Sequence, residues 1–252
     1  MQRTDPRFQQ RYAQNLDMSW IYHDSAIEGS VYSEQELRLA LDPEAVAPPE
    51  SGMQPLFAEI RRHREAIDYI HDLAGCSRRA PGVVPKPAPQ PAKKKAPITV
   101  DVIKRLFLIL HPEEGDLKTV RYRKDVPQHR LYFHEYAPPD KINYKVRQVV
   151  DWINDPETKK ARGPLRLASR AHYDLLRIFP FPTDSGRVAR LLMNLLLLRS
   201  GFPPAIVHST ERQRYYEALK GSSAMMNQIV LEAIENNLGS VEKLLTQYEE
   251  SR

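Results

Sequence analysis

Residues 165 to 219 read LRLASRAHYDLLRIFPFPTDSGRVARLLMNLLLLRSGFPPAIVHSTERQRYYEAL, in which two apolar runs at helical spacing flank a tight loop, Phe179 to Ser185. The second run begins on small polar residues. A helix that starts this way exposes free backbone N–H groups and the positive end of its dipole, which together make an anion site at its mouth. Arg187 and Arg190, three residues apart in the first turns, can both reach an anion held there. Spacing is equally served by arginines that only solvate the helix. The run Leu191 to Leu198 reads as core.

The rest of the chain is mainly helical in pattern. Ser33 and Glu36 have the spacing of a capping box ahead of a short helix ending near Asp42-Pro43. Leu56 to Leu73 carries apolar residues at mostly helical spacing, with Gly75 placed to stop it. Further helices are expected over about Thr99–His111, Asn143–Asn154, Leu165–Ile178, Gly186–Ser200, Thr210–Lys220, Ser223–Asn237 and Ser240–Glu250. One segment differs. Thr119 to Tyr136 (TVRYRKDVPQHRLYFHEY) is rich in β-branched and aromatic residues around a Pro127-Gln128 break, which predicts a β-hairpin.

Among the 252 residues are 37 basic and 32 acidic ones, and the excess sits in one stretch. Residues 77 to 97, SRRAPGVVPKPAPQPAKKKAP, hold Arg78, Arg79, Lys86, Lys93, Lys94 and Lys95 and no acid. Taking these six from the 37 leaves 31 basic against 32 acidic residues, which argues against a broad nucleic-acid face. The prolines exclude a helix here, so the stretch reads as a linker or long surface loop. With the single cysteine, Cys76, neither an intrachain disulfide nor a cysteine-based zinc site can be built. No run approaches the roughly 18 apolar residues of a membrane span. The N-terminus lacks a signal-peptide core, and a reducing cytoplasm is the expected setting.

The loop and its surroundings resemble the Fic (Fido) family. Its motif, H-P-F-x-(D/E)-G-N-G-R-x-x-R, is similar to Phe179-Pro180-Phe181-Pro182-Thr183-Asp184-Ser185-Gly186-Arg187-Val188-Ala189-Arg190 here. The run RLLMNLLLLRSGFPPAIV, the segment Arg212 to Leu219, and Tyr122-Arg123 followed by Pro138-Pro139 and a Trp152 helix extend the resemblance, which covers about residues 20 to 235. Ser25-Ala26-Ile27-Glu28-Gly29 resembles the inhibitory helix motif that some family members carry N-terminally, with Asp24 where that motif usually has serine or threonine. The fold so implied is all-α, a helical Fic core (98–252) with a small β-hairpin flap at about 119–139, preceded by a helical region (1–76) and the 77–97 linker.

In active relatives the histidine takes a proton from a target hydroxyl, which then attacks a nucleotide's phosphate. Phe179 has no titratable group and cannot do so. ATP and magnesium are the cofactors that the resemblance implies, and the departures in the motif tell against both. Thr183 replaces an acidic metal ligand with a neutral one. Asp184 replaces the first glycine and Ser185 the asparagine. Asp184 either caps the helix and fills its anion hole or supplies a metal ligand from one position along. Gly186, Arg187 and Arg190 are retained, and a Glu28–Arg190 pair is either a preserved off-switch or a structural ion pair. Of other histidines, His172 lies seven residues before Phe179, about 10 Å of helical rise away, and reads as a core histidine. His134 falls in the flap, whose residues in the family position a target by strand addition. The expected function is that of a degenerate relative of the protein adenylyltransferases, with transfer lost or strongly reduced, acting by binding a protein partner at the flap, a nucleotide or a second copy of itself. The alternative is an active transferase using Asp184 on a metal.

Overall fold

The computed structural model describes residues 5–46, 52–76, 96–127 and 135–250. Helix α1 spans Pro6–Glu28; Asp5 caps its start, and Gly29, at φ 104, closes its end in the left-handed region that glycine adopts without strain. Helix α2 (Glu34–Leu41) carries the expected reciprocal box between Ser33 and Glu36. Helix α3 (Gln54–Ala74) stops on Gly75, and α4 (Val100–Leu110) starts on a Thr99 cap. Then follow α5 (Ile142–Asn154), the short α6 (Pro156–Arg162), α7 (Pro164–Ile178), α8 (Ser185–Arg199), α9 (Arg212–Lys220) and α10 (Ser223–Glu250).

Helix α8 is the axis of the molecule. Every residue from Ser185 to Leu198 is buried, because α7 and α3 pack along it while α4 and α1 cover its remaining sides. Such a helix must be apolar all round, which is what the Leu191–Leu198 run provides. Its one interior amide, Asn194, is satisfied by the chain that folds back over it: Nδ2 donates to the Ala205 carbonyl at 3.2 Å, and Oδ1 accepts from the Ala205 N–H at 2.8 Å. Asn194→Ala leaves both backbone groups without partners. It is expected to lower the unfolding free energy by about 2 kcal/mol, read from the midpoint of urea denaturation.

The hairpin expectation is overturned: among the described residues there is no strand. The segment's polar backbone is satisfied elsewhere. The Arg123 N–H bonds the Pro180 carbonyl at 3.0 Å, and Val120 is buried, so the residues that favour strand are used to seat the segment on the α7–α8 loop. Residues 128–134, with His134, lie outside the described residues, as do residues 77–95 of the expected linker. Two helices were expected over Ser223–Asn237 and Ser240–Glu250. They are one, because Gly239 lies within an uninterrupted α10. Helix α6 and the first turns of α1 had no counterpart in the sequence reading. No described helix is long and apolar enough to cross a membrane.

Candidate anion site at the start of α8

Three anchors shape the α7–α8 loop. Phe181 is fully buried, stacked on Phe107 with centroids 4.1 Å apart and planes 1° from parallel. The Ser185 hydroxyl closes the turn by accepting from the Phe181 N–H at 2.8 Å and donating to its carbonyl at 3.1 Å. Arg123 supplies the third anchor. Its guanidinium donates to the carbonyls of Phe179 (2.6 Å), Ile178 (3.1 Å), Asp125 (2.7 Å) and Ala137. A planar fork of five donors can satisfy several carbonyls at once, and here it joins the end of α7 to both described sides of the 119–139 segment.

The loop begins and ends on residues in the left-handed region, Phe179 at φ 51 and Asp184 at φ 50, the two such non-glycine residues among those described. Each costs on the order of 1 kcal/mol relative to a glycine. Phe179 closes α7, with its N–H on the Leu175 carbonyl, and turns its ring against Tyr136 at 5.1 Å.

Asp184 precedes α8 but makes no side-chain cap, contrary to the reading in which it fills the hole at the helix start. Its carboxylate leaves the backbone N–H groups of the helix start uncapped and lies between Arg187 and His111, which sequence reasoning did not single out. His111 Nε2 lies 2.6 Å from Asp184 Oδ2 and 3.3 Å from the Thr183 hydroxyl, and its Nδ1 lies 2.9 Å from Glu113. The hydrogen bond that His111 donates to Asp184 is the main cause that raises the His111 pKa. Burial pushes Asp184 up, but His111 and Arg187 outweigh it and hold the carboxyl below its ordinary value. The His111 ring is thus held between two carboxylates.

Arg187 and Arg190 do not solvate the helix; both are almost completely buried. Arg187 reaches Asp184 and Glu59 of α3, each at 3.3 Å, and Ser25 of α1 at 3.5 Å. Arg190 pairs with Glu28 at 2.8 Å and with Asp24 through its Nε. The Glu28 carboxylate lies so close over the first turn of α8 that a Cβ at Gly186 would collide with it. A side chain at position 186 would force the Glu28 carboxylate to shift from this place. Beneath it, Asp24 pairs with the buried His63 of α3 at 2.9 Å. Burial pushes the His63 pKa down while the neighbouring Asp24 opposes that.

His172 is fully buried, as expected, and is tied to the site at one remove. Its Nε2 lies 2.8 Å from the Tyr215 hydroxyl, which accepts from Arg190 at 3.3 Å. His63, Glu59 and His111 were missed by the sequence reading. A signal for His63 existed: it shares the apolar face of α3 with Ile60, Ile67 and Ile70, where a polar side chain must have a partner.

The sequence matches the Fic/DOC family over residues 97–197. Protein adenylyltransferase fic-1 of Caenorhabditis briggsae is 32% identical over 209 residues, covering 79% of this chain and 35% of that protein. Protein adenylyltransferase Fic of Nematostella vectensis is 30% identical over 203 residues, covering 79% and 42%. The chain thus spans between about a third and two fifths of the length of these curated relatives. Among solved structures, Caenorhabditis elegans Fic-1 (residues 134–508) is similar with a TM-score of 0.73 at 24% identity, covering 99% of this chain and 68% of that one. A Fic domain containing signaling protein from Bacteroides thetaiotaomicron has a TM-score of 0.68 at 22% identity, covering 94% of each. At these identities the structural likeness speaks for the fold alone.

Proposed function

The chain belongs to the Fic/DOC family, and on that premise we propose that it has kept the family's helical frame while losing efficient nucleotidyl transfer, and that it acts by binding a partner. The observation that carries this reading is Phe179. At the position of the family's proton acceptor stands a buried ring packed on Tyr136, and loss of a positioned base removes on the order of 10²–10⁴ in rate. His111, whose ring touches the loop at Asp184, does not replace it, because both of its nitrogens already face carboxylates.

The donor set also fits a hard divalent cation poorly. Thr183 is neutral, Asp184 is engaged by His111 and Arg187, and among the described residues no three His, Cys, Asp or Glu side chains form a group that could hold a metal ion. With Glu28 over Gly186 and on Arg190, the anion position is filled by the protein's own carboxylate. Because Asp184 makes no cap at the helix start, removing it does not vacate that position.

Incubating the protein with ATP labelled in the α-phosphate and a mixture of candidate protein targets is expected to transfer no label, and Phe179→His alone is expected to gain none. Calorimetric titration with ATP, with and without magnesium, is expected to show no binding by the parent or by Asp184→Gly. Transfer by the parent that disappears in Arg190→Ala would overturn the proposal and favour an enzyme with an unusual site.

A further inference from the structure

We infer that Asp24, more than Glu28, holds Arg190, so that the arginine stays engaged when Glu28 is lost and is freed only when α1 moves away as a body. The inference rests on the reading above in taking Arg190 as the arginine that an incoming anion would need.

The bonds of the guanidinium carry the argument. Its Nε donates to Asp24 Oδ1, its Nη2 to the Asp24 carbonyl at 3.2 Å and to Glu28 Oε1 at 2.8 Å, and its Nη1 to the Tyr215 hydroxyl at 3.3 Å. Two of these four bonds end on Asp24 and one on Glu28. Deleting the Glu28 carboxylate leaves the other three intact, with a full negative charge still against Nε.

Burial separates the two acids further. The Asp24 side chain is 4% exposed and Glu28's is 19% exposed, so the Asp24 pair is the less screened by water. Asp24 is also braced from behind by His63, whereas Glu28 is the last residue of α1. The three side chains therefore join three elements, with Arg190 on α8, Asp24 on α1 and His63 on α3. A serine at position 24 would offer Arg190 a neutral hydroxyl and leave Glu28 as its one carboxylate from α1. The aspartate gives the arginine a permanent counter-ion within the fold. Removing one member of a buried ion pair strands the other charge, so loosening α1 locally at Asp24 is far harder than swinging Glu28 aside. The C-terminal end of α1 is itself latched, since Arg212 and Tyr216 of α9 both donate to the Ile27 carbonyl.

The test is direct observation of the Arg190 side chain by NMR, following exchange of its Nε–H with solvent in the parent, Glu28→Gln and Asp24→Asn. Exchange is expected to stay near the parental rate in Glu28→Gln and to rise about tenfold or more in Asp24→Asn. Release of Arg190 in Glu28→Gln would overturn the inference, as would continued protection in a folded Asp24→Asn. If Asp24→Asn fails to fold, the Glu28→Gln measurement still decides, since protection there supports Asp24 as the holder and its loss refutes it. This readout needs no nucleotide, so its failure is distinct from a failure of the proposed function, which is judged by label transfer.

Discussion

Arg123→Ala is expected to lower the unfolding free energy by about 3–5 kcal/mol, the largest single-residue loss among the substitutions considered. The guanidinium is the shared donor for the carbonyls of Phe179, Ile178, Ala137 and Asp125, and alanine leaves all four without it. Burial lowers the Arg123 pKa, so the charge is held at some expense and is retained because the donors are needed. Arg123→Lys should recover little, since an ammonium has three donors and no planar fork. Arg121, two residues away and exposed, bonds the Lys118 carbonyl and serves as the control, with an expected change within about 0.5 kcal/mol. Thermal or urea unfolding measures both, and similar losses at the two positions would refute the assignment.

Acid is expected to weaken the fold well before the carboxylates titrate. Burial, assisted by Arg190, depresses the His172 pKa from 6.5 to about 3. Below pH 6.5 the unfolded chain takes up a proton that the folded chain refuses, so stability is complete above about 6.5 and falls by about 1.4 kcal/mol per pH unit down to about pH 3. His23, lowered to about 4 by burial and by its stacked neighbour His208, and His63, also lowered, act in the same direction. His111 is raised and contributes with the opposite sign: its stabilisation is complete below its ordinary value and fades as pH rises through the raised one. Asp24 and Asp184, both lowered, begin to lose their contributions only below about pH 4, whereas Asp174, raised by burial, acts with the opposite sign toward the acid end of the window from 6.5 to 4. In that window His172→Phe should flatten the stability curve by about one proton's slope. An unchanged slope would show that His172 is not the group refusing the proton.

The helical frame was legible in the sequence wherever local chemistry determined it. The Ser33 box, the Gly75 stop and the apolar α8 run all formed as read, because caps and apolar periodicity act over a few residues. The motif residues Gly186, Arg187 and Arg190 and the Glu28 partnership were also visible, through resemblance. The 119–139 segment was misread because its strand-favouring residues are used against the loop, a tertiary contact that propensity does not register. The direction of Asp184 was hidden for a similar reason. A cap requires an extended backbone at that residue, and the loop instead holds it at φ 50, which hands the carboxylate to a histidine 73 positions earlier.

The burial of α8 on all sides has a consequence for how often the site is available at all. The arginines belong to the innermost helix, whereas Asp24 and Glu28 belong to α1, an outer element. Native chains open in cooperative units, and opening of α1 with α7, α8 and α3 still assembled is the partial unfolding that would expose both arginines. The fraction of molecules so opened would be set by the free energy of that step, falling tenfold for every 1.4 kcal/mol that the α1 contacts add. A partner that binds α1 in its released form would raise this population without touching the loop.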